Sequence, residues 1–492
     1  MGVLPVHRAR TVRDQSFTNT KQSPSCLWAD QAHQYSQYST LHGLRYIGDT
    51  KLHFVERAFW VVSFLLAVIA AIYFITNTFR KYTETPVIMT MSPTATLLSS
   101  IPFPAITICN MNNVRRSEAE KILKAPNDTT SILERQLLRS RCNHDLDEVE
   151  DNRTSDWNYI KEFMFKVSQP CEDMLVACLW HREFYNCSEI FHPILTDEGV
   201  CCTFNKLNRT IVFQNPLALS DLNDSFKFPS ADWSPQNGYP ANTPHDYLPW
   251  RPWGTGSHLG LTLVLDAEQN EYYCSSEASF GFKILLHNPV ESPKMSSFGS
   301  AISPGKETRF VINPHIMTST SQLTTIPIEK RNCFFNNERP LRFFRVYTEN
   351  NCVRECEANF TLSFCNCVMY YMPKDRFTHI CGKKDSKCAL HAQRTMEILK
   401  SQKVLNTTIP HNATLTGCDC LPGCFELDYS KVQSTSMLTE KLNIRSEYLA
   451  GRNPLYFKKN MAVLHAFFME AQFSGVQRDV LFGFTEFLLR LQ

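Results

Sequence analysis

The stretch Cys352–Cys367 reads CVRECEANFTLSFCNC, four cysteines in sixteen residues. Such a cluster holds a metal, exchanges electrons, or closes disulfides. Zinc sites favour paired C-x2-C knuckles with histidine, whereas this spacing is C-x3-C followed by C-x-C with no histidine between. Disulfides persist only in oxidising compartments, so the side of a membrane on which the cluster lies decides the reading. Working outward, Ala58–Ile75 (AFWVVSFLLAVIAAIYFI) runs eighteen residues without a charge, bounded by Arg57 and by Arg80 and Lys81. That length crosses the roughly 30 Å hydrocarbon core of a bilayer. Fifty-seven residues precede the run and no small-residue cleavage site follows, which argues against a signal peptide. Eight N-x-S/T sequons, at Asn127, Asn152, Asn186, Asn208, Asn223, Asn359, Asn406 and Asn412, all follow it. They place the C-terminal portion outside the cell as a glycoprotein and the N-terminus in the cytosol. One cysteine, Cys26, precedes the helix and eighteen follow it, an even number on the oxidising side. The cluster is therefore read as disulfides, and no metal or other cofactor is expected.

Bulk properties agree with a membrane-anchored globular chain. Net charge is +2 over 492 residues, so no global basic field favours nucleic acid. Mean hydropathy is −0.25, which excludes a chain that is mostly membrane-embedded. Runs such as LTLVL and FKILL, bounded by Gly, Pro and Asn, are strand-like, and SEAEKILKA and SILERQLLRS have helical apolar spacing. The segment Phe228–Ser257, rich in Pro, Gly and aromatics, reads as an exposed loop. No internal repeat is apparent. The residues around Cys352 and Cys356 suit a helix, on which an i,i+4 pair shares one face about 6 Å apart in rise. Cys418 and Cys420 share a face of an extended segment at roughly 6–7 Å. Two rungs can therefore join helix to strand.

At this point the residues resemble the degenerin/epithelial sodium channel superfamily, most of all its insect pickpocket branch. LHGLRYI (Leu41–Ile47), FPAITICN (Phe103–Asn110), DEGVCCTFN (Asp197–Asn205), GLTLVLD with EYYC, GFKILLHNP (Gly281–Pro289), YTENNCVREC and CDCLPGCFELDY occur in the family's order and cover about residues 40–487. The resemblance implies a membrane α+β fold: one transmembrane helix, then a large disulfide-rich extracellular domain with a central β-sheet palm and helical finger and thumb subdomains. The expected divisions are a cytosolic segment at 1–56, the helix at 57–79, the extracellular domain at 80–470 and a return linker at 471–492. Carried over by position, it implies the pairs Cys109–Cys201, Cys171–Cys178, Cys333–Cys424, Cys352–Cys420, Cys356–Cys418, Cys365–Cys388 and Cys367–Cys381. Cys142, Cys187, Cys202 and Cys274 have no assigned partner. It also implies that His42 and Gly43 are a gating motif.

The expected function is that of a subunit of an amiloride-sensitive, sodium-preferring cation channel in the plasma membrane, a homo- or hetero-trimer with related subunits. In the family a second helix carrying a Gly-x-Ser selectivity filter follows a segment like LFGFTEFL (Leu481–Leu488). Here no apolar run long enough to span follows Ile75, so no filter is assigned and the chain reads as truncated before its pore helix. A non-conducting regulatory or dominant-negative subunit is the alternative, as is a single-pass receptor. A membrane-anchored ecto-enzyme fits poorly. Its D-x-D motif would be Asp145–Asp147, inside an acidic run that reads as a solvated face, and PGKET (Pro304–Thr308) lacks the glycine and strand of a phosphate loop.

Overall fold

The computed structural model describes residues 24–41, 43–49, 51–142, 156–216, 226–382, 384–404 and 418–481. These form two compact units, one made by the segment ending at Pro86 and the other by Val87–Leu481. His42, Asn152, Asn223, Asn406, Asn412 and the end of the expected return linker lie outside the described residues.

The first unit holds helices α1 (Pro24–Tyr38), α2 (Leu44–Gly48) and α3 (Phe54–Glu84). α3 contains the apolar run and extends beyond it at both ends, so its 31 residues rise about 46 Å. None of its residues is buried, and it is the one helix among the described residues that is long and apolar enough to cross a membrane. A helix apolar on every side has no polar face to offer water and suits lipid. His53 caps its start, accepting the Val55 N–H at Nδ1.

The second unit is built on two sheets. Its strands are β1 (Val87–Met91), β2 (Ala105–Asn110), β3 (Leu175–Trp180), β4 (Glu183–Tyr185), β5 (Phe191–Thr196), β6 (Gly199–Phe204), β7 (Leu261–Asp266), β8 (Phe282–His287), β9 (Ser300–Ile302), β10 (Lys306–Ser319), β11 (Glu426–Met437), β12 (Met461–Phe468) and β13 (Val476–Val480). The larger sheet runs β1-β13-β10-β12-β7-β3-β4, and the long β10 pairs on its other edge with β11. The smaller runs β9-β8-β2-β6-β5. Strands β7 and β8 read as near-continuous apolar runs because both of their faces are covered. Helices α4 (Arg116–Lys124), α5 (Thr129–Cys142) and α6 (Trp157–Val167) pack together beside the smaller sheet. Helices α7 (Glu349–Cys365) and α8 (Ser386–Val404) pack on each other.

Phe103 joins the two sheets. Its fully buried ring meets Trp180 of β3, Phe204 of β6 and Phe468 of β12 edge-on, at centroid distances of 4.8, 6.0 and 5.6 Å. Asn205, in the left-handed region at φ 58°, secures this centre. Its Nδ2 donates to the Phe103 carbonyl at 2.6 Å, and its Oδ1 accepts the Trp250 N–H at 2.6 Å. Trp250 and Trp233 are only 4% and 2% exposed, so the segment expected as an exposed loop is in part core. Its irregular backbone misled the reading: prolines and glycines mark a chain without ladders, not one without burial.

Nine disulfides tie this unit. Cys109–Cys201, Cys333–Cys424, Cys352–Cys420, Cys356–Cys418, Cys365–Cys388 and Cys367–Cys381 are present. The pair Cys171–Cys178 is not: Cys171 joins Cys202, and Cys178 joins Cys187. Neighbours on a strand point to opposite faces. On β6, Cys201 thus reaches Cys109 on the adjacent strand while Cys202 turns the other way toward Cys171. Cys178 lies opposite Tyr185 across the β3–β4 hairpin, which brings Cys187 within a Cα distance of 5.5 Å. The last two unassigned cysteines, Cys142 and Cys274, tie α5 to the short strand Tyr272–Ser275.

Phe103→Ala should cost about 3–5 kcal/mol, the range for truncating a buried aromatic. The measurement is the thermal unfolding midpoint of the purified full chain, with surface delivery as a second readout. Phe298→Ala, at an exposed ring, should leave both unchanged. Equal behaviour of the two variants would remove Phe103 from the centre of the core.

Candidate functional site

Thr348 accepts the Asn351 N–H at 3.1 Å and caps the start of α7, which carries Cys352 and Cys356 as the sequence suggested. One face of α7 is tied to the loop after β8. Asn351 Nδ2 donates to the Val290 carbonyl at 3.0 Å, Arg354 Nη2 to the Pro293 carbonyl at 2.6 Å, and Lys294 Nζ pairs with Glu357 at 2.8 Å. These α7 positions are three apart and so lie on one face. A second face carries Cys352 and Cys356, bonded to Cys420 and Cys418 with Cα distances of 5.8 Å each. The partner cysteines lie in the irregular segment just before β11 rather than in a regular strand. Glu355, buried within α7, accepts backbone N–H groups of Arg342, Phe343 and Phe344. Together these hold α7 against the chain on both sides.

Between α7, α8, the loop 288–294 and β11 lies a cavity of about 440 Å³. Leu285, Val353 and Met396 supply apolar wall, and Glu291, Glu349 and Asp428 supply carboxylates. Glu426 and Asp428 stand two apart on β11 and therefore share a face. Burial first, and the charge of Asp428 next, push the Glu291 carboxyl up to about 7, against a hydrogen bond from Asn350 Nδ2 at 2.9 Å. Burial and Asp428 likewise raise Glu426 to about 7, while Arg478 and the Gly423 N–H at 2.9 Å oppose the rise. Asp428 is itself raised, chiefly by burial. Like charges crowded in a poorly solvated site cannot all ionise readily. Glu291 and Glu426 therefore hold their protons to a higher pH than ordinary carboxyls do. Among the described residues no three His, Cys, Asp or Glu side chains converge as metal ligands.

The residues expected from the sequence are placed elsewhere. Gly43 is buried at the start of α2 with φ 91°, a conformation that favours glycine, and an added Cβ would meet Trp60 at 3.6 Å. Asn127, Asn186 and Asn359 are exposed and Asn208 is half-buried. Asn186 and Asn208 each cap a short helical turn with Oδ1, accepting from the Ser or Thr of their own sequon. The carboxyl cluster was not read from the sequence. Its one local trace is the E-x-D of Glu426 and Asp428 directly after Cys424.

The sequence family described as amiloride-sensitive sodium channel matches residues 35–491. Pickpocket protein 28 of Drosophila melanogaster is 35% identical over 467 residues, covering 92% of this chain and 73% of that one. Sodium channel protein Nach of the same species is 24% identical, with 92% and 80% covered. Acid-sensing ion channel 1A of Danio rerio is 24% identical, with 90% and 80% covered.

The sign of the pH dependence follows from the raised values. A carboxyl whose native value exceeds its unfolded one binds more protons folded, so its contribution is fully present below the unfolded value, near 4.5 for Glu, and is lost as pH rises through about 7. The unfolding midpoint of the wild-type chain should fall between pH 5.5 and 8. Glu291→Gln with Glu426→Gln should flatten that fall, because both amides imitate the protonated acid. An unchanged slope would place the titration elsewhere.

Proposed function

Because the chain belongs to the amiloride-sensitive sodium channel family, we propose that it serves as a subunit of a sodium-preferring, amiloride-sensitive cation channel in the plasma membrane. The observation that carries this reading is the family match over residues 35–491, which takes in both the apolar helix α3 and the disulfide-tied unit. The family is one of channels rather than enzymes. In this reading the chain assembles as a homo- or hetero-trimer with related subunits, its N-terminus cytosolic and its disulfide-rich unit extracellular. Eighteen disulfide-bonded cysteines support that side, because such bonds survive where the milieu is oxidising. The exposed sequon residues Asn127, Asn186 and Asn359 are where glycans would attach. At Asn186, Oδ1 caps the turn and leaves Nδ2 available for the sugar.

The carboxyl cluster of Glu291, Glu426 and Asp428 is the proposed route by which external pH alters this subunit, the Danio rerio relative being one named for acid sensing. At the other end, His42 and Gly43 are proposed to shape the cytosolic entry. Gly43 supports this through its left-handed backbone, held beside Trp60 at the start of the spanning helix.

Co-expression of the tagged full chain with a two-helix relative from the same cells tests assembly and conduction together. The chain should copurify with the relative and change its amiloride-blocked sodium current. Gly43→Ala should reduce that effect severalfold at equal surface protein, since a left-handed residue other than glycine costs on the order of 1 kcal/mol or more. Copurification with suppressed current would favour a non-conducting regulatory subunit. Absence of both copurification and any current change would overturn the channel reading.

A further inference from the structure

Helix α1 presents three exposed aromatic rings that the channel reading does not use. Trp28, Tyr35 and Tyr38 are 74%, 63% and 85% exposed. At 100° per residue they fall within an arc of about 80° on the helix. The packed side lies about 120° round the helix from the middle of that arc. It carries Ser36, whose Oγ occupies the space beside Gly48 that an added Cβ would need. α1 is thereby seated on α2. In turn α2 is fixed to the beginning of α3: Tyr46 stacks on Trp60 with centroids 4.6 Å apart, and Arg57 Nε donates to the Ile47 carbonyl at 3.0 Å. Trp60 lies in the first turn of the apolar run, so α2, and α1 upon it, sit beside the point where α3 enters hydrocarbon.

We propose that α1 lies in the headgroup layer of the membrane that α3 crosses, with Trp28, Tyr35 and Tyr38 inserted among the lipids. Trp and Tyr concentrate at this depth because each joins an apolar ring to a polar handle. The helix contains Asp30 but neither Lys nor Arg, so ring insertion rather than attraction to anionic lipid holds it. The contact is then indifferent to salt and to lipid charge. It fixes the height of α2, and with it Gly43, against the bilayer. The inference rests on α3 spanning the membrane.

The test uses the full chain in phosphatidylcholine nanodiscs, with Cys26→Ser and one added cysteine carrying a bimane label. Tyr35→Cys and Tyr38→Cys should be quenched about threefold more by lipid bearing a headgroup nitroxide than is Gln37→Cys, which faces away from the aromatic arc. Iodide in the aqueous phase should show the reverse order, and added salt should change neither. Leu65→Cys, read with a mid-chain nitroxide, checks α3 separately. Quenching at Leu65→Cys without lipid quenching at Tyr35→Cys overturns this inference alone, and no quenching at either removes its premise. Equal iodide access at Tyr35→Cys and Gln37→Cys means a helix standing in water. Exclusion of both quenchers from Tyr35→Cys means burial against a neighbouring subunit. Each of these two outcomes also rejects the lipid contact.

Discussion

The disulfide-tied unit depends on the covalent attachment of α7 to the chain just before β11. Two disulfides one helical turn apart leave α7 no freedom to roll or slide against that segment, and Cys333–Cys424 anchors the same segment four residues further on. They close long stretches of sequence, with separations of 91, 68 and 62 residues. Each such bond stabilises by roughly 2–4 kcal/mol, mainly by restricting the unfolded chain. Their more specific effect is positional. β11 begins at a fixed place, so Asp428 lines the same cavity as Glu291, with Glu426 two residues before it on the strand.

The same attachment joins the cavity wall to the larger sheet. β11 pairs along twelve residues with β10, and β10 pairs in turn with β12 and β13. A change of charge at the head of β11 is therefore applied to the strand at the centre of the larger sheet. Packed sheets deform little, so such a change moves the strand as a body or not at all. The loop face of α7 is held by neutral and paired groups: Asn351, Arg354, and Glu357 with Lys294. Glu291, on the loop tied to α7, faces Asp428 of β11, so the raised carboxyls stand on both sides of the cavity.

Much of this was legible in the sequence where a local period or a fixed spacing carries the signal. The apolar run of α3, the strands β7 and β8, the helices α4 and α5, and the i,i+4 against i,i+2 cysteine spacing all belong to that class. The errors share one physical origin. Cys171 and Cys178 are near in sequence, but a helical turn and a strand intervene, and strand alternation sends Cys202 to one and hairpin pairing sends Cys187 to the other. Trp233 and Trp250 were misread because irregular backbone was equated with exposure. The carboxyl cluster could not be read at all: Glu291 and Asp428 are brought together by the disulfides and by β10–β11 pairing, and neither leaves a periodic trace in the sequence.

The disulfide connectivity is what the account stands on, and peptide mapping of the non-reduced full chain, purified from a secretory expression host, tests it most directly. The account predicts linked peptides for Cys352–Cys420 and Cys356–Cys418, together with Cys171–Cys202 and Cys178–Cys187. A Cys171–Cys178 peptide would contradict the placement of β3 and β6. Free thiols at Cys352 and Cys356 in folded, surface-delivered protein would contradict the attachment of α7, and with it the origin of the carboxyl cluster.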